Sequence, residues 1–129
     1  MENKPKKIKS FTDLSTWREG HKLALEIYRV TKNFPRDELF GLTAQLRRAA
    51  VSVTSNIAEG FSRTSWREKV QFYSTALGSL TEIQNQLLLA RDVGYLSKTS
   101  FDAVARQTII VNKLASGLIR KSKSMIQNS

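Results

Sequence analysis

Cysteine is absent from the chain, which removes disulfides, thiolate metal sites and cysteine nucleophiles together. Proline occurs twice and glycine six times in 129 residues, too few for a collagenous or low-complexity chain. Uninterrupted apolar runs last only a few residues, far short of the ~20 needed to cross a bilayer. The opening MENKPKKIKS lacks the apolar centre of a signal peptide, so the expected home is the cytoplasm and no membrane is expected as a partner. Serine is plentiful, yet no GxSxG turn and no phosphate loop of the GxxxxGK type occurs; with no catalytic signature and no cofactor motif, the chain reads as a non-enzyme. His21 is the only histidine, and a metal site built on it has no partner at a recognised spacing.

What is present is basic charge and helical periodicity. The net charge is +10. Lys4, Lys6, Lys7 and Lys9 outweigh Glu2 in residues 1–10, and Arg120, Lys121 and Lys123 stand without an acid near the other end. Each end therefore carries +3. Such clusters release counterions on meeting phosphates and suit a polyanionic partner; solubility and two frayed basic ends explain them equally well. The expected organisation is a basic arm over 1–10, one folded unit over 11–121, and a basic polar tail over 122–129.

Four segments carry helical spacing. The first runs from Ser15 to Lys32, with Thr16-x-x-Glu19 as a capping box or Asp13 capping one turn earlier, and with Trp17, Leu23, Ala24, Ile27, Tyr28 and Val30 on its apolar face. Phe34-Pro35 ends it, and Asp37 and Glu38 suit the positive end of the next helix, expected over Leu39–Gly60. Gly60 suits the left-handed residue that closes a helix. A second capping box, Ser65-x-x-Glu68, opens a third helix to about Val93, seamed by Trp66, Val70, Tyr73, Leu77, Leu80 and Leu87. Gly78 lies inside it, where glycine costs ~1 kcal/mol relative to alanine and suggests close approach of a neighbouring chain. After Gly94-Tyr95 a fourth helix is expected from Phe101 to Lys121. Short connections favour antiparallel neighbours, so the expected fold is all-α, an up-down-up-down four-helix bundle.

Two groups of residues are candidate sites. On the second helix Gln45, Arg48, Ser52, Asn56 and Glu59 follow one another at helical spacing beside the apolar line of Leu42, Leu46, Ala49, Val53 and Ile57. Half-buried polar groups need partners. An internal network through Glu82 or Gln86, a subunit interface, or a ligand would each supply them. The other group is Arg47, Arg48, Arg63, Arg67 and Lys69 with Phe61 and Trp66, expected around the connection between the second and third helices. Arginine forks onto phosphates and aromatics stack on bases, which suits RNA or DNA; the competing reading has Trp66 capping the core and the charges paired with Glu59 and Glu68. Those two glutamates read as caps and ion-pair partners more readily than as an acid–base pair.

From Phe11 to about Leu118 the chain resembles the four-helix-bundle proteins encoded in 23S rRNA intervening sequences. The resemblance lies in Phe11-x-Asp13-Leu14-x-x-Trp17, Tyr28 ahead of Phe34-Pro35-x-x-Glu38, Gly41-Leu42-x-x-Gln45-Leu46-Arg47-Arg48-Ala49-Ala50, Ser52-Val53-x-x-Asn56-Ile57-Ala58-Glu59-Gly60, Ala76-x-Gly78-Ser79-Leu80-x-Glu82 and Gly94-Tyr95-Leu96. It implies an up-down bundle assembled as a homopentamer, with an RNA connection. Accessory proteins of diversity-generating retroelements are similar and work beside a reverse transcriptase, so a reverse transcriptase or another protein is a further possible partner. No accepted catalytic residue comes with the resemblance. The broad apolar faces independently favour burial between subunits. Two functions follow: a homo-oligomeric accessory protein binding nucleic acid through basic residues, or a protein–protein scaffold with no direct nucleic-acid role.

Overall fold

The computed structural model describes residues 7–127, so Lys4 and Lys6 of the basic arm lie outside the described residues. Four helices follow one another: α1 (Ser15–Thr31), α2 (Leu42–Ser62), α3 (Trp66–Asp92) and α4 (Lys98–Gln127), with short 3-10 turns at Phe11–Asp13 and Arg36–Glu38. Among the described residues there is no strand.

Local chemistry explains most helix ends. Ser10 caps the Phe11–Asp13 turn, and the Asp13 carboxylate accepts from the Ser10 and Lys9 amides at 3.1 and 2.9 Å. Leu14 leads into α1 with no side-chain cap, and Thr16, expected in a capping box, is buried instead. Apolar packing of that first turn takes the place of a hydrogen-bonded cap. Phe34-Pro35 breaks the chain as expected, but α2 starts three residues later than its periodicity suggests. Glu38 is the reason: its Oε1 accepts from the Leu42 amide at 3.1 Å and its Oε2 from the Tyr95 hydroxyl at 2.9 Å. One carboxylate thus caps α2 and ties the α1–α2 connection to the α3–α4 connection.

Gly60 does not close α2 in a left-handed conformation. It lies inside the helix, and a methyl group there would stand 2.7 Å from Cε1 of Tyr73 and 3.0 Å from Cβ of Phe72. Close approach of α3 sets this glycine, and α2 continues to Ser62. Ser65 caps α3 as its sequence indicates, accepting from the Glu68 amide at 3.1 Å. Gly94, at φ 87°, is the left-handed residue of the chain's described part. Apart from the backbone of α3 itself, no atom lies within 4 Å of the position a Gly78 methyl would take, so no neighbouring segment of this chain packs closely there.

The largest difference lies in α4. It begins at Lys98 and runs to Gln127, so residues expected as a polar tail are helical, and Ser122 is only 1% exposed with its hydroxyl donating to the Leu118 carbonyl at 2.8 Å. No glycine or proline follows Gly117 to stop it.

Residue pairs fix the direction of each helix against its neighbour. Between α2 and α3, Gln45 meets Gln86 and Ser52 meets Ser79. Between α3 and α4, Gln84 meets Thr108 and Arg91 lies over Phe101. Between α1 and α2, Gly20 faces Thr54 and Thr31 accepts from Arg47. In each pair the numbers rise along one helix as they fall along the other, so these neighbours are antiparallel. Gln107 of α4 closes the ring, donating to the Glu19 carbonyl of α1 at 2.9 Å. Helices pack on sequence neighbours and α1 on α4, as in an up-down-up-down bundle. Leu23, Ile27, Leu46, Val53, Ile57, Leu80, Ile83, Leu87, Val104 and Val111 fill the centre, each contributing about 1.5–3 kcal/mol of burial. Tyr28 leaves this core and lies at the surface, its ring 4.8 Å beneath the Arg47 guanidinium.

Two glycines give opposite expectations. Gly60→Ala is expected to destabilise by about 1–3 kcal/mol, because a rigid ring and a neighbouring helix oppose it; Gly78→Ala is expected to stabilise by about 0.5–1 kcal/mol. Urea denaturation of both variants checks this, and equal effects would contradict it.

Glu26 supplies a pH test. Burial, aided by Glu19, raises its carboxyl above the ordinary 4.5 although Lys22 and Arg29 oppose the shift. The folded chain therefore holds this proton more tightly than the unfolded chain, and stability is lost as pH rises from 4.5 toward the raised folded value. Glu26→Gln should raise Tm at neutral pH, with the gain vanishing well below 4.5. A pH-independent gain would show that charge burial is not its cause.

Candidate functional site

The polar line of α2 faces α3 at one edge. Gln45, Arg48, Ala49 and Ser52 form one wall, and Ser79, Glu82 and Gln86 form the other, of a groove of about 420 Å³. Small residues in the middle let the walls approach until the Ser52 and Ser79 hydroxyls share a 2.7 Å hydrogen bond. The Asn56 amide then donates back to the Ser52 carbonyl and hydroxyl at 2.8 and 3.1 Å. Gln86 reaches Gln45 at 3.5 Å, a marginal contact at the groove mouth. Arg48 and Glu82 line opposite walls and form no ion pair with each other among the described residues. Glu59 leaves the groove and pairs with Arg63 at 3.4 Å.

The basic cluster divides. Arg47 and Arg48 lie in the second turn of α2 and Arg63 just past its end, about 24 Å apart along the axis at 1.5 Å per residue. The sequence suggests that they gather around the connection between the second and third helices; the length of α2 separates them. Arg47 turns toward α1, where its Nε donates to the Thr31 hydroxyl at 2.9 Å and its guanidinium rests on Tyr28.

At the α2–α3 connection two of the cations already have work. Lys69 donates to the Phe61 and Gly60 carbonyls at 2.7 and 3.3 Å, satisfying the C-terminal end of α2 between the Phe61 and Trp66 rings. Burial pulls its ammonium below the ordinary lysine range. Arg63 pairs with Glu59 and lies 4.7 Å over the Phe72 ring. Trp66 is half-buried against Lys69. Arg67 alone of this group is exposed with no partner among the described residues.

Topology then adds what spacing did not. The register between α3 and α4, set by Gln84 with Thr108 and Arg91 over Phe101, brings the first turn of α3 opposite the last turns of α4. Arg67 therefore shares one end of the bundle with Arg120, Lys121 and Lys123; Arg18, beside Glu19 at the level of Gln107, donates to the Thr12 and Asp13 carbonyls instead. Beyond Asp102, α4 carries Arg106, Lys113, Arg120, Lys121 and Lys123 and no acid. The run of basic residues was legible; its helical continuation and its neighbours were not.

His21 stacks on Trp17 at 4.8 Å. Among the described residues no three histidine, aspartate or glutamate side chains gather as a metal site, and no helix is long and apolar enough to cross a membrane.

Comparison with known proteins accords with this architecture. Among proteins of curated function none matches the chain in sequence. A crystal structure of a protein of unknown function from the S23 ribosomal protein family of Bacteroides thetaiotaomicron superposes with a TM-score of 0.75 at 20% identity, covering 81% of this chain and 95% of that one; at that identity the likeness concerns the fold. The family described as 23S rRNA-intervening sequence protein matches residues 12–117, and the chain belongs to that family.

Proposed function

We propose that this chain is a non-enzymatic, homo-oligomeric accessory protein of the cytoplasm that binds RNA or DNA through the basic end of its bundle. The observation carrying the reading is the convergence of the α2–α3 connection and the final turns of α4 on one end. Arg67, Arg120, Lys121 and Lys123 are exposed there, and α4 carries no acid beyond Asp102. Cations clustered on one surface attract a polyanion by counterion release, without reading sequence. Lys69 and Arg63 hold the platform rather than the ligand, because their donors serve the α2 terminus and Glu59.

Assembly draws support from a different face. Phe40, between α1 and α2, is 91% exposed, and Leu89 and Val93 are also exposed at that end of the fold. Leu88, Ile109 and Ile110 form a second exposed apolar stretch across α3 and α4. Large apolar groups so grouped mark contact surfaces more often than free ones, and pentameric closure is the subunit number we favour.

Filter binding to structured RNA tests the first half. Affinity should fall at least roughly tenfold between about 50 and about 200 mM salt. Replacing Arg67, Lys121 and Lys123 together by glutamine should weaken it by a similar factor while the oligomer survives. No binding at low salt would overturn the nucleic-acid role and favour a protein scaffold. For assembly, Phe40→Asp should sediment as a smaller species with unchanged helicity; unchanged sedimentation would remove this face from the interface.

A further inference from the structure

The groove between the end of α1 and the start of α2 holds a different combination of groups. It encloses about 380 Å³ and is lined by Thr31, Lys32, Phe34, Pro35, Arg36, Leu39, Thr43 and Arg47. Three of these are cations and none is an acid. Among the described residues Lys32, Arg36 and Arg47 form no ion pair. Asp37, next to Arg36, is exposed and forms no ion pair among the described residues, and Glu38 is turned to Leu42 and Tyr95. Three positive charges without an ion-pair partner round a concavity focus the field there, an arrangement that suits a bound anion.

Arg47 is oriented before any ligand arrives. The Thr31 hydroxyl donates to the Ile27 carbonyl at 2.7 Å and accepts from Arg47 Nε at 2.9 Å, while the Tyr28 ring supports the guanidinium plane. The terminal guanidinium nitrogens are left over, the pair that forks onto phosphate oxygens. Thr43 adds a hydroxyl to the groove wall. It makes no hydrogen bond among the described residues, and its oxygen remains accessible from the groove, free to donate to an anion there. Beside the cations lies an apolar shelf of Phe34, Pro35 and Leu39. The volume falls in the range of small-ligand sites, about 300–1,000 Å³, and is too small to admit a duplex.

We propose that this groove is a binding site for the phosphate monoester of a nucleotide, presented either by a free mononucleotide or by the 5′ end of a strand. Arg47, Lys32 and Arg36 take the phosphate dianion, Thr43 completes a hydrogen bond to it, and the sugar and base rest on Pro35 and Leu39. The site is at the opposite end of the bundle from the basic end proposed above, and neither reading needs the other.

Titration calorimetry at moderate salt tests the site with two matched pairs of probes: a ribonucleoside 5′-monophosphate against its nucleoside, and a four-nucleotide RNA with and without its 5′-phosphate. In at least one pair the phosphate should strengthen binding by roughly tenfold or more, and the pair that responds names the source. The double variant Lys32→Gln, Arg36→Gln should lose that gain while keeping the wild-type circular dichroism, because both side chains are exposed and unpartnered. Arg47→Lys, which keeps the charge and loses the fork, should lose most of it. The variant with Arg67, Lys121 and Lys123 replaced should keep it, which separates this site from the basic end. No phosphate-dependent gain in either pair, or a gain that persists in the double variant, would overturn the proposal.

Discussion

Everything in this fold depends on how closely α2 and α3 approach. Ala49, Ser52 and Gly60 on one side and Ala76 and Ser79 on the other let two long helices close until a serine pair shares a hydrogen bond and the Tyr73 ring lies against a glycine. Bulkier residues would push the axes apart, and the apolar faces would no longer meet at native packing density. The contact sets one antiparallel register, and through α3 it sets the level of α4 as well. Placement of the surface charges follows from that register.

Two kinds of cation emerge once the register is set. Lys69 and Arg63 are structural, one completing the end of α2 and the other joined to Glu59 and a phenyl ring. Arg67 and the late lysines of α4 face solvent, and Arg47, Lys32 and Arg36 border a separate groove. A net charge of +10 is thus unevenly divided among structural and available groups, and a count of basic residues alone would treat them all alike.

The number of helices, their apolar seams and the polar line of α2 were legible because each is a local periodicity. Ser65 and Glu68 announced a cap that the structure contains. Three features depend on contacts distant in sequence and were not legible. Gly60 owes its place to Tyr73, thirteen residues on in the next helix; α2 begins late because Glu38 also serves Tyr95; and Arg47 is drawn from the expected cluster toward Thr31 and Tyr28 of α1. The length of α4 was underestimated for a simpler reason. Lysines, serines and glutamine after Arg120 look like a tail by composition, whereas the buried Ser122 shows that the helix still has a packed side there.

The central claim is that antiparallel packing brings the start of α3 and the end of α4 to one basic end. The absence of native cysteine makes a direct distance measurement simple. Spin labels at Arg67→Cys and Lys123→Cys, in labelled chains diluted with unlabelled ones so that only pairs within one chain count, should lie within about 25 Å of each other. A separation near the ~40 Å length of α3 would place the two segments at opposite ends and contradict the account.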